Sequence, residues 1–486
     1  MTHGVTGPRE TWPDERAMAR AEEGGGSFEL LRAERERRGE LPEPAGFDRL
    51  PLEWYQRNAR RLKEAARERG VDGGLFLTSR WNVIYATGLF HTTTERPFAC
   101  FLPMDDDEAC VWLHPQLDAE LVRGWWCTEA FSYFDFPHAE GGAPSEGGLG
   151  GARTVDVFGW WGETLARLGY GGRTIGIDSG GLAELGLMPG FAKRPRYDFF
   201  AGDVPEPHRP EHGPFGRMAD ALPDARFVDV HDLLVRHRAV KDEAETRLAR
   251  RALDYLSEIH AFARDYLLER GPGTIDWEVA NAARLWGMHR LLADLPQAAE
   301  PHGAPLTFVL ACRSGVSTAY PHPNQTLWSR VERGDAIQVA GLLQLGGCGG
   351  ELYRSYLVAP WSEWQEHVWE VHTRAFEIQA EESYAGNSGA AVARAVHAHQ
   401  VENGCAHLVY HRPGHGMGSE GHQPPYHALG DFTVLRAGMH FSNEPGLYDA
   451  EHGFGFNHGD TILVAEERGI QLGTVPATKE WCLLSP

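Results

Sequence analysis

The carboxy-terminal half of the sequence holds five short stretches in which histidine, glutamate and tyrosine side chains cluster. The stretches are "STAYPHPNQ", "GGELYRSY", "HRPGHGMGSEGHQPPYHALGD", "FSNEPGLY" and "FNHGDTI". They supply the candidate site residues His322, Glu351, Tyr353, His415, His422, Glu444 and His458. Histidine exchanges protons near neutral pH, and both histidine and glutamate bind metal ions. These stretches therefore predict either acid–base catalysis or a metal site.

Structural roles compete with these chemical ones. A single histidine is more often a hydrogen-bonded or surface residue than a catalytic one. Glu444 stands in an apolar strand context, where a carboxylate needs a cation, a metal ion or a histidine as its partner, so a buried salt bridge and a ligand role both stay open. The glycines around His415 allow a close approach to a bound molecule or simply a sharp turn. A Walker-type phosphate loop is excluded because its GK[ST] element is absent.

The elements that carry these stretches follow from the apolar spacing. "DEAETRLARRALDYLSEIHAFARDYLLERG" has helical spacing up to Gly271, and further helices are predicted at about 277–292 and 364–384. Strands are predicted at "LTFVLAC", "DAIQVAGLLQLGG", "LYRSYLVAP" and "MHFSNEPGLY". This order favours helices that cover a curved, mostly antiparallel sheet over regular strand–helix alternation. We expect the polar stretches to lie in loops that this sheet fixes in place.

The whole chain divides into three predicted parts. Residues 1–45 are charged and predict an extended or partly helical arm that packs on another surface. Residues 46–240 predict an α/β domain, and residues 241–486 form the domain with the polar stretches. Within the α/β domain, residues 197–224 are rich in proline, glycine and charge, and we expect them to form a surface insertion.

Composition narrows the class of protein. The 486 residues carry 46 Lys and Arg against 68 Asp and Glu, and this net charge of −22 argues against binding to nucleic acid or anionic membranes. The seven cysteines are scattered without a CxxC pair, which argues against a disulfide framework and a structural zinc site. The first residues lack an apolar stretch of signal-peptide length, so we expect a cytoplasmic location.

Taken in order, six stretches resemble the creatinase/aminopeptidase P family of pita-bread hydrolases. They are "SGVSTAYPHPN", "RGDAIQV", "GELYRSYLV", "GHGMGSEGHQPP", "GMHFSNEPGLY" and "FGFNHGDTILV". The resemblance covers the second half and extends more weakly to "DGGLFLTSRWNVIYATGLF" and "RPFACFL" in the first. It implies an α+β fold with two-domain creatinase/aminopeptidase architecture, whose carboxy-terminal pita-bread domain is a curved antiparallel sheet covered by helices.

Metallopeptidases of this family hold two metal ions with two aspartates, one histidine and two glutamates. Carried over by position, these ligands fall on Ala340, Glu351, His415, Glu444 and Gly459. Two of the five positions have no side chain able to bind a metal ion, and two close cations need bridging carboxylates. The resemblance therefore implies that the paired metal centre is lost and that no cofactor is needed.

Creatinase represents a metal-free branch of the family, and His322 falls where that branch has its acid/base histidine. We expect His322, Glu444 and His415 to be catalytic. The expected substrate-binding residues are Glu351, Tyr353, His422, His458, Arg96 and Tyr426. Tyr353 replaces a carboxylate that grips the guanidinium in creatinase, and Thr94 replaces an aromatic residue beside Arg96, so creatine itself does not fit. The main hypothesis is a metal-independent hydrolase that cleaves a C–N bond in a small guanidino, amidine or amide compound.

Two alternatives remain. One is a metal-dependent Xaa-Pro dipeptidase or a lyase of the same family, with one ion at Glu351, His415 and Glu444. The other is an inactive peptide-binding pita-bread module. The resemblance also implies a homodimer in which Arg96 of one subunit reaches the site of its partner.

Overall fold

A computed structural model of the chain describes residues 13–40, 49–91, 96–133, 156–179, 197–201, 205–295, 305–322 and 328–485. Thr94 and the part of the "STAYPHPNQ" stretch after His322 lie outside these ranges. Every helix within them is too short or too polar to cross a lipid bilayer.

The amino-terminal part contains a mixed sheet with helices on both faces. Its elements are α1 (Glu15–Glu22), α2 (Gly26–Arg38), α3 (Leu52–Arg67), β1 (Gly74–Leu77), α4 (Arg80–Thr87), β2 (Ala99–Pro103), β3 (Val111–Pro115), α5 (Ala119–Arg123), β4 (Glu129–Tyr133), α6 (Val157–Arg167), β5 (Thr174–Ile177), α7 (Gly213–Asp220), β6 (Arg226–Asp229) and α8 (His231–Ala239). The strand order is β4-β3-β2-β1-β5-β6. Successive side chains of a strand point to opposite faces, so Leu75 and Leu77 enter one buried cluster while Phe76 enters another.

The predicted surface insertion at 197–224 is wrong in its second half. Phe215, Met218 and Ala219 of α7 are buried in the same cluster as Phe76 and Trp161. The prolines and glycines of this segment lie around a short helix whose apolar face completes the core on one side of the sheet.

The carboxy-terminal part contains two larger sheets, one two-stranded sheet, and the longer helices. Its elements are α9 (Glu243–Arg270), α10 (Asp276–Asp294), β7 (Leu306–Ser314), β8 (Ala336–Leu345), β9 (Cys348–Val358), α11 (Glu363–Glu382), α12 (Gly389–Glu402), β10 (Gly414–Gly416), β11 (Gln423–His427), β12 (His440–Asn443), β13 (Leu447–Asp449), β14 (Phe454–Phe456), β15 (Asp460–Leu463), β16 (Ile470–Gln471), α13 (Lys479–Cys482) and β17 (Leu483–Leu484). The larger sheets have the orders β17-β9-β8-β7 and β11-β10-β12-β15-β16, and the two-stranded sheet consists of β13 and β14. Most of their pairs are antiparallel, as predicted.

Helix α9 begins and ends where the sequence indicates. Asp242 accepts a hydrogen bond from the backbone N–H of Glu245 (2.9 Å), and Glu245 accepts one from the backbone N–H of Asp242 (2.9 Å). Such reciprocal capping satisfies two of the donors that a helix start leaves free. The helix ends at Gly271, whose φ of 62° favours glycine.

The predicted arm is helical and packs on α9 of its own chain. The backbone N–H of Asp14 donates to the Tyr266 hydroxyl (2.8 Å), and the Arg264 guanidinium donates to the Ser27 hydroxyl (2.9 Å). Ser27 also donates its backbone N–H to Asp265 (3.2 Å). Helices α1 and α2 are thus held by buried polar contacts as well as by apolar side chains.

The two larger carboxy-terminal sheets meet where β9 passes β15. The backbone N–H of Glu351 donates to the Thr461 hydroxyl (3.0 Å), and Tyr353 and Gly459 exchange two backbone hydrogen bonds (2.9 and 3.0 Å). A Cβ atom at Gly350 would lie 1.9 Å from Thr461 Oγ1, so this close approach requires glycine. The junction places Glu351 at the meeting point of the two sheets.

Candidate active site

Four of the predicted site residues converge at this junction. Glu351 lies on β9, His415 on β10, Glu444 directly after β12, and His422 at the end of the loop that joins β10 to β11. His415 Nε2 lies 3.0 Å from Glu444 Oε1 and 3.8 Å from Glu351 Oε2, while His422 Nε2 lies 4.0 Å from Glu351 Oε1. We call Glu351, His415, His422 and Glu444 the central group.

His415 is oriented by its own strand. Its backbone N–H donates to the Ser442 hydroxyl (2.9 Å), and its Nδ1 lies 3.2 Å from the carbonyl oxygen of Gly416. A carbonyl oxygen only accepts, so Nδ1 carries a proton and Nε2 faces the carboxylates. The Ser442 hydroxyl also donates to Glu444 Oε1 (3.0 Å). Ser442, which the sequence did not single out, therefore ties His415 to Glu444.

Within the central group, Glu444 and His415 favour their charged forms. Burial opposes ionisation of Glu444, but its contact with His415 and the charges of His411 and His422 hold its pKa well below the usual range. Burial also opposes the protonation of His415, but the Glu444 and Glu351 carboxylates outweigh it and raise the His415 pKa. The Glu444 carboxylate therefore favours the protonated form of His415.

Glu351 and His422 have the opposite tendencies. Burial, with added repulsion from Glu444, raises the pKa of Glu351, although His415 opposes this. The His422 ring stacks on the His415 ring with centroids 3.8 Å apart. Burial and the charge of His415 lower the pKa of His422 to about 4, although half of its side chain is exposed. His422 is thus neutral at physiological pH, as a metal ligand or proton acceptor must be.

One metal ion fits the residues that are present. A ligand atom from each of Glu351, His415 and His422 lies within 4.8 Å of the other two. Glu351 Oε2 is buried and has no hydrogen-bond partner, and it faces His415 Nε2, which also contacts the Glu444 carboxylate. An unpartnered buried polar atom is costly, and a bound cation would satisfy Glu351 Oε2.

A second ion does not fit. Across β8 and β9, Ala340 pairs with Tyr353, and on its other side Tyr353 pairs with Gly459. A Cβ atom at Gly459 would lie 2.5 Å from Cδ2 of the Tyr353 ring. The ring therefore occupies the space that a metal-binding side chain at position 459 would need. Burial raises the Tyr353 pKa well above its usual range, and the Glu351 and Glu444 carboxylates add to this, so its hydroxyl stays neutral.

Arg354 holds the backbone of Tyr353 and Gly459 in place. Its guanidinium donates to the carbonyl oxygens of Tyr353 (2.6 Å) and Gly459 (2.7 Å) and forms an ion pair with Asp460 (3.1 Å), and Arg354 and Asp460 are fully buried. An arginine in the sequence cannot by itself reveal that its targets are two carbonyl groups, and its positioning role was not predicted.

His322 lies at the edge of the central group. It is exposed and follows a short 3₁₀ turn after β7, and its charge reaches His422. Arg313 of β7 donates to the carbonyl oxygens of Tyr320 (2.8 Å) and Pro321 (3.2 Å), the two residues before His322. The acid/base role of His322 stays a prediction, since its loop continues into residues outside the described ranges.

The structure does not bring His458 to the central group. His458 is fully buried, its ring packs against His372, Trp369 and Phe376, and its Nδ1 accepts from the backbone N–H of Ser355 (3.3 Å). Burial lowers its pKa well below the usual range. The side chain of His458 packs against α11 on the helix-covered side of the sheet, and its predicted substrate contact stays a prediction.

Tyr426 lies beside His415, whereas Arg96 lies in the amino-terminal part of the chain. Tyr426 pairs with His415 across β10 and β11, its hydroxyl is buried without a hydrogen-bond partner, and the Arg412 guanidinium lies 4.7 Å from its ring centroid. Arg96 precedes β2 in the amino-terminal sheet and is half-buried. Substrate contacts of both residues stay predictions.

Comparison with known families agrees with the fold. The sequence pattern of metallopeptidase family M24 matches residues 247–466, which include the whole central group. These residues form an M24 domain. The predicted family is thereby confirmed, whereas membership of its metal-free branch stays a prediction.

Relatives of the M24 domain carry dipeptidase names. The probable dipeptidase PepE of Mycobacterium tuberculosis is 28% identical over 264 residues, which are 53% of this chain and 64% of the relative. The Xaa-Pro dipeptidase of Pyrococcus horikoshii is 27% identical over 244 residues, which are 49% of this chain and 64% of the relative. The chain thus matches a little under two thirds of the length of these relatives.

Solved structures extend the likeness to the amino-terminal part. The prolidase of Thermococcus sibiricus superposes with a TM-score of 0.65 at 20% identity and covers 88% of this chain and 99% of its own. The X-Pro aminopeptidase of Thermotoga maritima gives a TM-score of 0.64 at 18% identity, covering 88% and 99%. At this identity the likeness shows the fold alone: two domains, with a pita-bread M24 domain, as the sequence predicted.

Proposed function

We propose that the protein hydrolyses an amide bond in a small peptide-like substrate at the central group. The proposal rests on the convergence of Glu351, His415 and His422, whose ligand atoms lie within 4.8 Å of one another. The dipeptidase names of its relatives support this substrate class over the guanidino compounds that the sequence favoured.

We propose that one divalent ion binds Glu351, His415 and His422. This ligand set differs from the sequence-based alternative, in which Glu444 stood in the place of His422. An ion held there supplies Lewis acidity, which favours attack of water on a carbonyl carbon. Imidazole nitrogen and carboxylate oxygen are donors that suit zinc, and imidazole also suits cobalt. Binding requires that His415 give up its proton, so the affinity for the ion rises with pH.

The residues of the central group then have separate tasks. Glu444 is anionic at neutral pH and lies 3.0 Å from His415, so it is suited to accept a proton from the attacking water. Ser442 holds Glu444 in place through its hydroxyl. His322, exposed near His422, is suited to return a proton to the leaving amine. The Tyr353 hydroxyl, which donates to the Glu351 carboxylate, is suited to hold that carboxylate in place.

The test combines elemental analysis with turnover. Purified protein and a Glu351→Gln variant are assayed on Xaa-Pro and other dipeptides, with and without a strong chelator. About one ion per chain in wild type, with chelator-sensitive turnover that Glu351→Gln abolishes together with the ion, supports the proposal. Glu451→Gln, an exposed glutamate in the turn after β13, is the matched control. Dipeptidase activity without any bound ion would overturn the metal part alone.

The second candidate is the metal-independent, creatinase-like hydrolase, with His322 activating water. It is favoured by Ala340 and Gly459 at two ligand positions and by the tyrosine ring between them. The same experiment separates the two candidates. Chelator-resistant turnover of a guanidino or amidine compound that is lost in His322→Ala would establish the second one.

We also propose that the protein is a homodimer in which Arg96 contributes to the partner's site. Its support is the resemblance to two-domain family members and the place of Arg96 before β2. A monomer with full activity, measured by light scattering of the assayed sample, would contradict it. The cytoplasmic location stays a prediction.

A further inference from the structure

The loop that carries His422 contains three glycines and little regular structure. It leaves β10 at Gly416 and returns to β11 at Gln423, and these two residues pair across the strands. Gly418 and Gly421 lie between them, and a Cβ atom added at Gly421 would meet its nearest neighbour at 4.0 Å. Glycines leave the backbone free to adopt many conformations. The loop therefore needs anchors to hold one of them.

The His422 ring has few contacts that fix its place. Half of the side chain is exposed, and its ring stacks on the His415 ring with centroids 3.8 Å apart. Its Nε2 lies 4.0 Å from Glu351 Oε1, which is beyond hydrogen-bond distance. None of the residues that the structure describes forms a hydrogen bond with the ring. The place of His422 therefore depends mainly on where the loop backbone lies.

Two buried side chains anchor the loop, one from each domain. The Gln344 amide of β8 donates to the carbonyl oxygen of Gly418 (2.6 Å). The Arg238 guanidinium of α8, in the amino-terminal domain, donates to the Glu420 carboxylate (3.0 Å). Glu420 stands two residues before His422. The amino-terminal domain thus holds the part of the loop that leads into His422.

The burial of Arg238 makes its contact with Glu420 important. The Arg238 side chain is 2% exposed and that of Glu420 is 34% exposed. A buried guanidinium needs an anionic partner, because its charge is otherwise left in the interior without compensation. Its Nε is buried without a hydrogen-bond partner, and its other terminal nitrogen reaches the Ser419 hydroxyl at 3.5 Å. Both contacts of the guanidinium are therefore made with this loop.

We propose that Arg238 is a positioning residue for His422 and acts through Glu420. It takes no part in the proton transfers. The consequence for the metal ion rests on the proposed function, which assigns the ion to Glu351, His415 and His422. These three ligands belong to the M24 domain, but the amino-terminal domain sets the place of one of them. The affinity for the ion then depends on a residue outside the M24 domain.

The test measures the dissociation constant of zinc by competition with a chromogenic chelator at one fixed pH. Arg238→Gln should weaken zinc binding by about tenfold, since residues that hold metal ligands contribute about ten- to hundredfold to the affinity. Arg238→Lys keeps the charge without the planar fork and should lose less. The matched control is Arg236→Gln, because Arg236 lies on the same helix but pairs with Asp232 (3.2 Å). It should bind zinc as wild type does.

A cycle with His422→Ala separates positioning from a general loss of structure. In the His422→Ala background the ion is held by Glu351 and His415 alone, so adding Arg238→Gln should change the affinity by less than about twofold. A tenfold loss that persists in this background would overturn the inference. Unchanged affinity in the single Arg238→Gln variant would do the same, and either result leaves the proposed ion site intact.

Crystal structures decide the matter if wild type binds no zinc, a result that would reject the proposed ion site. The distance between the ring centroids of His415 and His422 should then exceed the wild-type distance in Arg238→Gln by more than about 0.5 Å, the tolerance of a well-held site. An unchanged distance would overturn the positioning role. Arg238→Gln leaves Glu420 partly solvated, and Arg238→Lys gives the same comparisons if Arg238→Gln does not fold.

Discussion

Tyr353 and Gly459 face each other across the junction of two sheets, joined by two backbone hydrogen bonds, with the tyrosine ring packed over the glycine α-carbon. This pair explains how the chain can share the M24 fold while lacking two ligand positions. The Tyr353 ring fills the space between Ala340 and Gly459, which the two metal-binding carboxylates would otherwise occupy.

Gly459→Ala should therefore destabilise the protein. The added methyl group would lie 2.5 Å from the Tyr353 ring, and overpacking of this kind costs roughly 1–3 kcal/mol in the free energy of unfolding. The measurement is urea denaturation. Gly172→Ala, at a position with no atom within 4 Å of the added methyl group, is the control. In a Tyr353→Ala background the cost should largely disappear, and an unchanged cost there would contradict the explanation.

Ser442→Ala should lower activity without unfolding the protein. Its hydroxyl accepts from His415 N–H and donates to Glu444, so its loss removes one of the two contacts that orient Glu444, the other being His415 Nε2. We expect about a tenfold loss in kcat, the size of one hydrogen bond, with KM nearly unchanged. Ser383→Ala removes a buried hydroxyl that bonds only within its own helix and should leave kcat unaffected. Equal losses in both variants would argue against a positioning role for Ser442.

Arg313 and His322 should behave as one unit. Arg313 holds the carbonyl groups of Tyr320 and Pro321, so Arg313→Gln releases the loop that carries His322. If His322 transfers protons, His322→Gln should lower kcat by about a hundredfold, and Arg313→Gln should lower it less. The double variant should lose less than the product of the two single losses. Independent, multiplying effects in steady-state kinetics would separate Arg313 from His322.

His260 should make stability depend on pH. Burial lowers its pKa from the ordinary 6.5 to about 3, with the Arg354 charge adding to this. Below pH 6.5 the unfolded chain binds a proton that the folded chain accepts only near pH 3. The free energy of unfolding should therefore fall as pH decreases, by up to about 1.4 kcal/mol per pH unit for this residue.

The variant His260→Gln isolates this contribution. Glutamine can still donate to the carbonyl oxygen of Leu352, which His260 Nε2 contacts at 2.9 Å, but it does not titrate. Its stability should decline less steeply between about pH 6 and pH 5 than that of wild type. Exposed His289→Gln is the control. Parallel pH profiles for wild type and His260→Gln would contradict the prediction.

Local signals predicted much of the fold. Helix α9 was predictable because its cap, its apolar spacing and its terminal glycine all agree. Helix α7 was not, because its prolines and glycines suggest a surface loop, and only the packing of Phe215 and Met218 against the sheet shows that it is core. The arm was predicted, but its docking on α9 depends on long-range contacts such as Arg264 with Ser27.

The sequence predicted most of the residues that belong to the site, but it predicted less of how their side chains are arranged. His415, Glu444 and Glu351 do meet, since they lie where the two larger carboxy-terminal sheets approach each other. The sequence did not place His458 away from the central group, because it does not tell which side of the sheet a buried histidine faces. Of the two alternatives for Glu444, the structure shows the contact with His415, and the ligand role stays a prediction. The residue type of Tyr353 did not predict that its ring fills the space beside Gly459.

The packing of Tyr353 on Gly459 also limits which residues these two positions can hold together. The two side chains would claim the same space if position 459 carried a carboxylate. A carboxylate at position 459 and a tyrosine at position 353 in this conformation therefore exclude each other. Installing a metal-binding side chain at position 459 requires a change of Tyr353 as well, so the two positions vary as a pair.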